Sequence, residues 1–198
     1  MTADGKERIL EAARRLISRN GITGATMRGI AEEAGLSTGA IYHYYKSKEE
    51  ILYDVMDESL SVSTQMAARV RTSEFQKDEV IEEIYANIIT RFKKNDENRL
   101  QFYLAQEAMQ GNEELSEKFR QKYQDWIGGT QELIEKLYQK EPTKYDKAFA
   151  TLLIGAIDGV VMQLLMNANP ADIDTVTEVY HEILKVGIPE FLSHLSHI

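Results

Sequence analysis

Residues 26–45 read TMRGIAEEAGLSTGAIYHYY, and this stretch decides the fold. It predicts two short helices, one from Met27 to Ala34 whose first amides the hydroxyl of Thr26 can cap, and a second that begins at Ser37. Gly35 lies where the turn between them needs a positive φ, and the interior between the helices is small and apolar. The pattern is that of a helix-turn-helix. A generic helical hairpin, the alternative, would also need a glycine and apolar positions.

The interior of this predicted motif has one position for a small side chain. Ala31 falls where the two helices cross, and only a small side chain fits at that point. The other apolar interior positions are Ile30, Ala34, Leu36 and Ile41.

The second helix, expected over residues 37–45, presents two different faces. Tyr45 falls on the core side, whereas the opposite side is small and polar. Small side chains let the start of this helix approach a nucleic-acid backbone, where free amides favour phosphate. Tyr42 and His43 can donate hydrogen bonds to phosphates or base edges, and Tyr44 lies at the border of the two faces.

The candidate DNA-binding residues share one predicted surface, on which the starts of three helices converge. Each lysine among them, taken alone, would be a solvated charge. The candidates are Thr26, Arg28, Ser37, Thr38, Gly39, Ala40, Tyr42, His43, Lys46 and Lys48.

The charge is distributed unevenly along the chain. A net charge of −9 by itself opposes a polyanionic partner. The first 50 residues, however, hold eight Lys and Arg against seven Asp and Glu, so the acidic excess lies in the remainder. This asymmetry indicates two functions. We expect a helix-turn-helix DNA-binding domain over residues 1–46 and a second, helical domain over residues 47–198.

The rest of the chain predicts helices only, because apolar residues recur every three or four positions and prolines are few. Ser47 and Glu50 form a capping box that opens a helix expected to run to about Val70. This helix begins beside the second helix of the predicted helix-turn-helix, which is the expected recognition helix. Because it ends in the second domain, it would act as a lever. The other helices are expected near Lys6–Arg19, Lys77–Lys94, Glu97–Gln110, Glu113–Gln139, Lys144–Ala168 and Thr175–Val186, with a closing turn after Pro189.

From about Lys6 to Leu52 the chain resembles the TetR-type bacterial transcriptional repressors, nearly position by position. The resemblance implies an all-α protein whose helix-turn-helix reads a pseudo-palindromic operator and whose body binds a small-molecule effector that releases the DNA. It also implies a homodimer in which the last two long helices pack with their copies as a four-helix bundle. One departure is Tyr45, where the family often carries phenylalanine. The remaining three-quarters of the chain matches the family only in length and helical character.

The segment KAFATLLIGAIDGVVMQLLM, residues 147–166, is apolar nearly all round. A helix of this kind must be covered on more than one side, and its glycines permit close helix approach. If the face that carries Val161 is the seam between two copies, Asp or Arg at Val161 should yield monomers and abolish operator binding. Asp158 inside this segment is either a ligand partner or a locally satisfied structural acid.

Aromatic and methionine side chains on the middle helices indicate a ligand pocket. Trp126 stands beside Gly128 and Gly129, and two glycines inside a helix cost on the order of 1 kcal/mol each relative to alanine. Either a pocket or an ordinary helix crossing explains the pair. A protein partner in place of a small molecule is the alternative for this domain. The candidate ligand-binding residues are Phe102, Met109, Tyr123, Trp126, Asp158 and Met162.

Several classes of protein and of site are not supported by the sequence. Cysteine is absent, which excludes disulfides, thiolate zinc sites and cysteine nucleophiles. Without a glycine-rich phosphate loop or a metal-spaced histidine pair on a helix, we expect no enzyme, no cofactor and no metal. No apolar run is expected to approach the roughly 20 residues of a membrane span, and the charged N terminus is unlike a signal peptide. We therefore expect a cytoplasmic protein without a membrane partner.

Overall fold

The computed structural model describes residues 3–72 and 74–195. Its regular structure in these residues is helical without a strand, so the predicted all-α class is confirmed. A π-helical turn, Ile183–Gly187, lies between the last two α-helices. The α-helices are α1 (Ala3–Gly24), α2 (Met27–Glu33), α3 (Thr38–Ile41), α4 (Lys48–Leu60), α5 (Val62–Thr72), α6 (Lys77–Lys93), α7 (Asn95–Met109), α8 (Glu113–Tyr138), α9 (Asp146–Leu165), α10 (Ile173–Glu182) and α11 (Ile188–Leu195).

The chain divides into two compact units. The first comprises the residues up to Leu60 together with Asn95–Arg120, and the second comprises Ser61–Lys94 together with the residues from Gln121 onward. This division follows packing. The expected functional boundary between residues 46 and 47 stays a prediction.

The core of the first unit lies where α1, α2, α4 and α7 pack together. Helix α1 is longer than the predicted Lys6–Arg19, but Gly21 has φ 73° and ψ 172°, so regular helical geometry is interrupted two residues after the predicted end. The large, fully buried apolar side chains of this core are Ile9, Ile30, Ile41, Ile51, Leu52, Met56, Leu100 and Leu104.

The predicted single helix from Ser47 to about Val70 is wrong, because α4 ends at Leu60 and α5 begins after Ser61. The carbonyl oxygen of Ser61 accepts a backbone hydrogen bond from Gln65 at 3.2 Å, which opens α5. Its hydroxyl oxygen accepts a second bond from Lys122 Nζ at 2.6 Å. The helix stops here although the apolar spacing continues.

In the second unit, α10 is held against α6 by a polar contact. The imidazole of His181 stacks on the ring of Tyr85, with centroids 4.3 Å apart. Glu82 Oε1 lies 3.0 Å from Lys185 Nζ and 2.8 Å from His181 Nε2. These two hydrogen bonds, from Lys185 first and then from His181, hold the pKa of Glu82 below its ordinary value. The contact fixes the end of α10 beside the π-helical turn.

Helix α9 has a buried side and an exposed apolar side. Val161 is fully buried within the chain, so the condition that its face forms the seam between copies is not met. On the opposite side Leu152 is 69% exposed and Met162 is 48% exposed. The expectation that no apolar run approaches a membrane span is also wrong, since Asp146–Leu165 is long and apolar enough to cross a membrane by length and composition.

Candidate nucleic-acid interface and interior polar cluster

The two short helices of the predicted motif are capped by the residues that the sequence indicated. The amide of Gly29 donates to Thr26 Oγ1 at 3.1 Å, and the amide of Ala40 donates to Ser37 Oγ at 3.1 Å. A hydroxyl that accepts such a bond keeps its own hydrogen available. Both caps therefore retain a donor for an external acceptor such as a phosphate.

The turn and the interior between α2 and α3 confirm the helix-turn-helix. Gly35 has φ 66°, the left-handed conformation that the turn requires, and Ile30, Ala31 and Ile41 are fully buried. Arg8 Nη2 donates to the carbonyl oxygen of Ala34 at 2.6 Å and closes the end of α2. Sequence reasoning missed Arg8, because a contact across 26 residues leaves no local pattern.

Helix α3 is shorter than predicted. It ends at Ile41, and the amides of Tyr44 and Tyr45 both donate to the Ile41 carbonyl oxygen at 3.0 Å, which tightens the chain into a turn. A helix of four residues sums few peptide dipoles, so side chains contribute more than the helix dipole to any phosphate contact.

The tyrosines that follow α3 support the motif from inside. Tyr45 is buried as predicted, and its hydroxyl donates to Asp54 Oδ2 at 3.0 Å. Burial and the negative charge of Asp54 raise the pKa of Tyr45. Tyr44 packs against the start of α1, where a Cβ on Gly5 would collide with the tyrosine ring. Tyr44, predicted at the border of the two faces, therefore lies on the core side.

The remaining face of the motif is open to solvent. Tyr42 is 53% exposed, and the side chain of Arg28 is 80% exposed. Lys48 is half-buried, with Nζ 5.6 Å from the ring centroid of Tyr103, and Ala40 is also half-buried. The other candidates on this face are exposed: Thr26, Ser37, Thr38, Gly39, His43 and Lys46.

Acidic side chains oppose the arginines beside this face. Arg28 Nε donates to Glu32 Oε1 at 2.8 Å, and Arg15 Nε donates to Glu33 Oε1 at 2.8 Å. Arg19 also pairs with Glu33, and the two arginines hold the pKa of that carboxyl below its ordinary value. Exposed pairs of this kind contribute little free energy, so the pairing with Glu32 holds Arg28 only weakly. Sequence reasoning counted these cations but missed their partners.

Three of the candidate ligand residues meet in the second unit. The rings of Tyr123 and Trp126 lie edge to face with centroids 5.2 Å apart, and the hydroxyl of Tyr123 donates to Asp158 Oδ2 at 2.7 Å. Arg91, which sequence reasoning missed, places Nη2 at 3.5 Å from Asp158 Oδ1. Lys122 Nζ lies 5.4 Å from the centroid of the Trp126 ring. The contacts of Asp158 are those of a locally satisfied acid.

The other candidate ligand residues lie elsewhere. Phe102 and Met109 belong to α7 in the first unit, and Met109 is 80% exposed, so it does not line an enclosed pocket in this chain. Met162 lies on the exposed side of α9. Gly128 is exposed, and a Cβ there would meet no atom within 4 Å, so neither a helix crossing nor a pocket wall within the chain explains it. Among the described residues, no group of three potential metal ligands is close enough to hold an ion.

Comparison with known proteins agrees with this architecture. Residues 9–55 match the model of the bacterial regulatory proteins of the tetR family. A fatty acid metabolism regulator protein of Bacillus subtilis is 28% identical over 185 residues, which cover 91% of this chain and 93% of that protein. The relatives are transcription regulators, as expected for a chain that is not an enzyme.

Solved structures share the fold. The transcriptional regulator FadR from Bacillus subtilis, in complex with stearoyl-CoA, has a TM-score of 0.66 at 23% identity, covering 91% of this chain and 98% of that one. A transcriptional regulator from Saccharomonospora viridis, in complex with choline, has a TM-score of 0.69 at 20% identity, covering 93% and 97%.

A capped helix-turn-helix with an open polar face, followed by a larger helical part, defines a DNA-binding transcription regulator. Over residues 9–55 the chain is similar to the bacterial regulatory proteins of the tetR family.

Proposed function

We propose that the chain acts as a dimeric repressor that binds a pseudo-palindromic operator. It leaves the operator when a small-molecule effector binds within the domain of residues 47–198. The observation that carries the proposal is the open face of α3. Gly39 and Tyr42 are exposed there, whereas the opposite side of the same segment is buried through Ile41 and Tyr45. A buried, capped scaffold with one free polar face is suited to enter the major groove.

DNA binding is tested with a duplex selected from a random library, measured by fluorescence anisotropy at several salt concentrations. Lys48→Ala should weaken binding to the selected and to random duplex alike and lower the salt slope by about one. Tyr42→Ala or His43→Ala should cost roughly 1–3 kcal/mol on the selected duplex. Equal, salt-independent binding by the wild type and all three variants would contradict the proposal.

The exposed side of α9 supports a two-fold dimer as the assembled form. Its residues recur at helical spacing and are small or apolar, which suits close packing against a second copy. The π-helical turn and α10 add exposed apolar side chains in the same unit, Val179, Ile183 and Val186. A two-fold dimer would place two recognition helices about 34–36 Å apart, the spacing of successive major grooves.

Leu152→Asp tests the dimer, with Lys147→Asp as the matched control, because Lys147 is exposed on the same helix away from the apolar side. Burying a leucine that is 69% exposed contributes about 1–2 kcal/mol, and a two-fold interface contains it twice. We expect Leu152→Asp to sediment as a monomer at micromolar concentration and to lose operator binding, while Lys147→Asp stays dimeric. A dimeric, operator-binding Leu152→Asp would refute this interface.

The same dimer accounts for the apolar composition of α9 without a membrane. Asp158 lies within the helix, with Arg91 and Tyr123 as its partners, and a bilayer-spanning helix carries such an acid at considerable cost. A soluble dimer located in the cytoplasm is the form that we propose. Fractionation of cells that express the chain should leave it in the soluble fraction, and recovery with membranes would contradict this part of the proposal.

For the effector we propose an acyl compound, by similarity to the Bacillus subtilis regulators. Arg91 opposes the charge of Asp158, which weakens the attraction of this cluster for a cation such as choline. Stearoyl-CoA should release the selected duplex at micromolar concentration, whereas choline and free CoA should not. Release by choline alone would replace the acyl effector with a cationic one.

A protein partner of the second domain is the alternative proposal for its regulation. This alternative would be favoured by two results together: no small molecule releases the selected duplex, and the chain forms a stable complex of defined stoichiometry with one partner protein. Reciprocal coupling identifies the true effector in either case, since saturating operator must weaken its binding by the same factor by which it weakens operator binding.

A further inference from the structure

The indole nitrogen of Trp126, Nε1, is a buried hydrogen-bond donor that the described residues leave unused. The side chain of Trp126 is 5% exposed, and its Nε1 has no hydrogen-bond partner among residues 3–72 and 74–195. An indole N–H only donates, and buried tryptophans usually find an acceptor for it. We infer that the polar end of the effector supplies this acceptor, a carbonyl or carboxylate oxygen that receives the hydrogen bond from Trp126. This inference rests on the proposed acyl effector.

The neighbours of the indole ring favour an oxygen with negative charge. Tyr123 turns its ring towards Trp126 and uses its hydroxyl hydrogen on Asp158 at 2.7 Å. The ammonium of Lys122 lies over the same indole ring, 5.4 Å from its centroid, and adds a positive charge to the surroundings of the donor. A hydrogen-bond donor next to a cation is suited to a carboxylate or to the polarised carbonyl of a thioester.

Lys122 also links this position to the break between α4 and α5. Its Nζ donates to Ser61 Oγ at 2.6 Å, and Ser61 directly follows the last residue of α4. An effector oxygen that draws the ammonium towards Trp126 competes with Ser61 for it. Occupancy therefore alters the contact at the residue where the expected lever helix is interrupted.

Trp126 is the only tryptophan of the chain, so a ¹H–¹⁵N spectrum contains one indole N–H resonance from it. Hydrogen bonding to an oxygen moves an indole proton downfield. Titration of the full chain with stearoyl-CoA and, separately, with stearate should shift this resonance downfield in a saturable manner. The compound that shifts it at the lower concentration identifies thioester or carboxylate as the acceptor, and free CoA or choline should leave it in place.

The outcomes separate this inference from the proposed function. If stearoyl-CoA or stearate binds and releases the operator but the indole resonance stays in place at saturation, the inference fails and the acyl effector stands. If an acyl compound binds and shifts the resonance without releasing the operator, the proposed function fails and the site stands. If neither compound binds, both fail. An unliganded indole proton that already exchanges with a buried water would also overturn the inference.

Two variants test the residues themselves. Trp126→Phe keeps an aromatic ring without the donor and should bind the acyl compound about tenfold more weakly, the size of one hydrogen bond. Ser61→Ala removes one hydrogen-bond partner of Lys122 and should reduce the fold-change in operator affinity that the acyl compound causes. An unchanged acyl affinity in Trp126→Phe, with the variant folded by circular dichroism, would overturn the assignment of the donor. An unchanged fold-change in Ser61→Ala would overturn the link through Lys122.

Discussion

Replacement of Gly39 by leucine should separate folding from DNA binding. Gly39 lies in α3 on the exposed face, its φ is not in the left-handed region, and the nearest atom to a Cβ placed there is Ser37 Oγ at 4.0 Å. Among residues 3–72 and 74–195, therefore, nothing requires glycine at this position. Leucine is a better helix former than glycine, so Gly39→Leu should leave the free energy of unfolding unchanged or raise it by up to about 1 kcal/mol.

The same substitution should be costly in the complex. A leucine side chain extends from α3 into the space that a phosphate or base edge would occupy, and it holds Tyr42 and His43 away from their contacts. If each of these two contacts contributes roughly 1–3 kcal/mol, their joint loss is about 2–6 kcal/mol. Operator affinity should then fall by roughly 30-fold to more than 10⁴-fold.

Two measurements on one preparation decide the matter. Thermal unfolding followed by circular dichroism should give Gly39→Leu a melting temperature no lower than that of the wild type. Fluorescence anisotropy on the selected duplex at one fixed salt concentration should show the loss of affinity. Full operator affinity in a folded Gly39→Leu would refute the close approach of α3 to DNA, and a clearly lowered melting temperature would refute the argument from open space.

Three further predictions concern the same motif. Ala31→Leu should lower the free energy of unfolding by about 1–3 kcal/mol, because Ala31 is fully buried, and an unchanged denaturant midpoint would contradict the crossing. Gly35→Ala should cost about 1–2 kcal/mol, since φ is 66° and Arg8 Nη2 lies 3.2 Å from the new Cβ; a melting temperature equal to that of the wild type would show the turn to be unstrained. Glu32→Gln should strengthen DNA binding and steepen its salt dependence by releasing Arg28, and weaker binding would show that the pair positions the arginine.

Local sequence patterns predicted the helix-turn-helix closely. A positive φ at Gly35, capping hydroxyls on Thr26 and Ser37, and a buried alanine at the crossing are all requirements of a few consecutive residues. Such requirements depend on backbone geometry within one or two turns, so they are visible in the residues themselves.

The candidate sites could be predicted only in part. Residue types indicated that Tyr123, Trp126 and Asp158 are unusual on their helices, and the structure joins them through short contacts. Arg91 and Lys122 complete the cluster. Arg91 lies on α6, far along the sequence from Asp158, and Lys122 carries no distinctive local pattern. Met109 shows the opposite case, since its residue type suggested a pocket and its position at the end of α7 leaves it 80% exposed.

The sequence by itself determined the all-α class, the position of the turn and the open face of α3, because helical periodicity and turn chemistry are local properties of the chain. Only the tertiary structure decided where the helix expected after Ser47 breaks, and the contact of Ser61 at this break comes from Lys122, 61 positions away, which leaves no local pattern in the sequence. Packing also decided which side of α9 is exposed. Leu152 and Val161 are equally apolar residues of one helix, and only their neighbours in space leave the first open and bury the second.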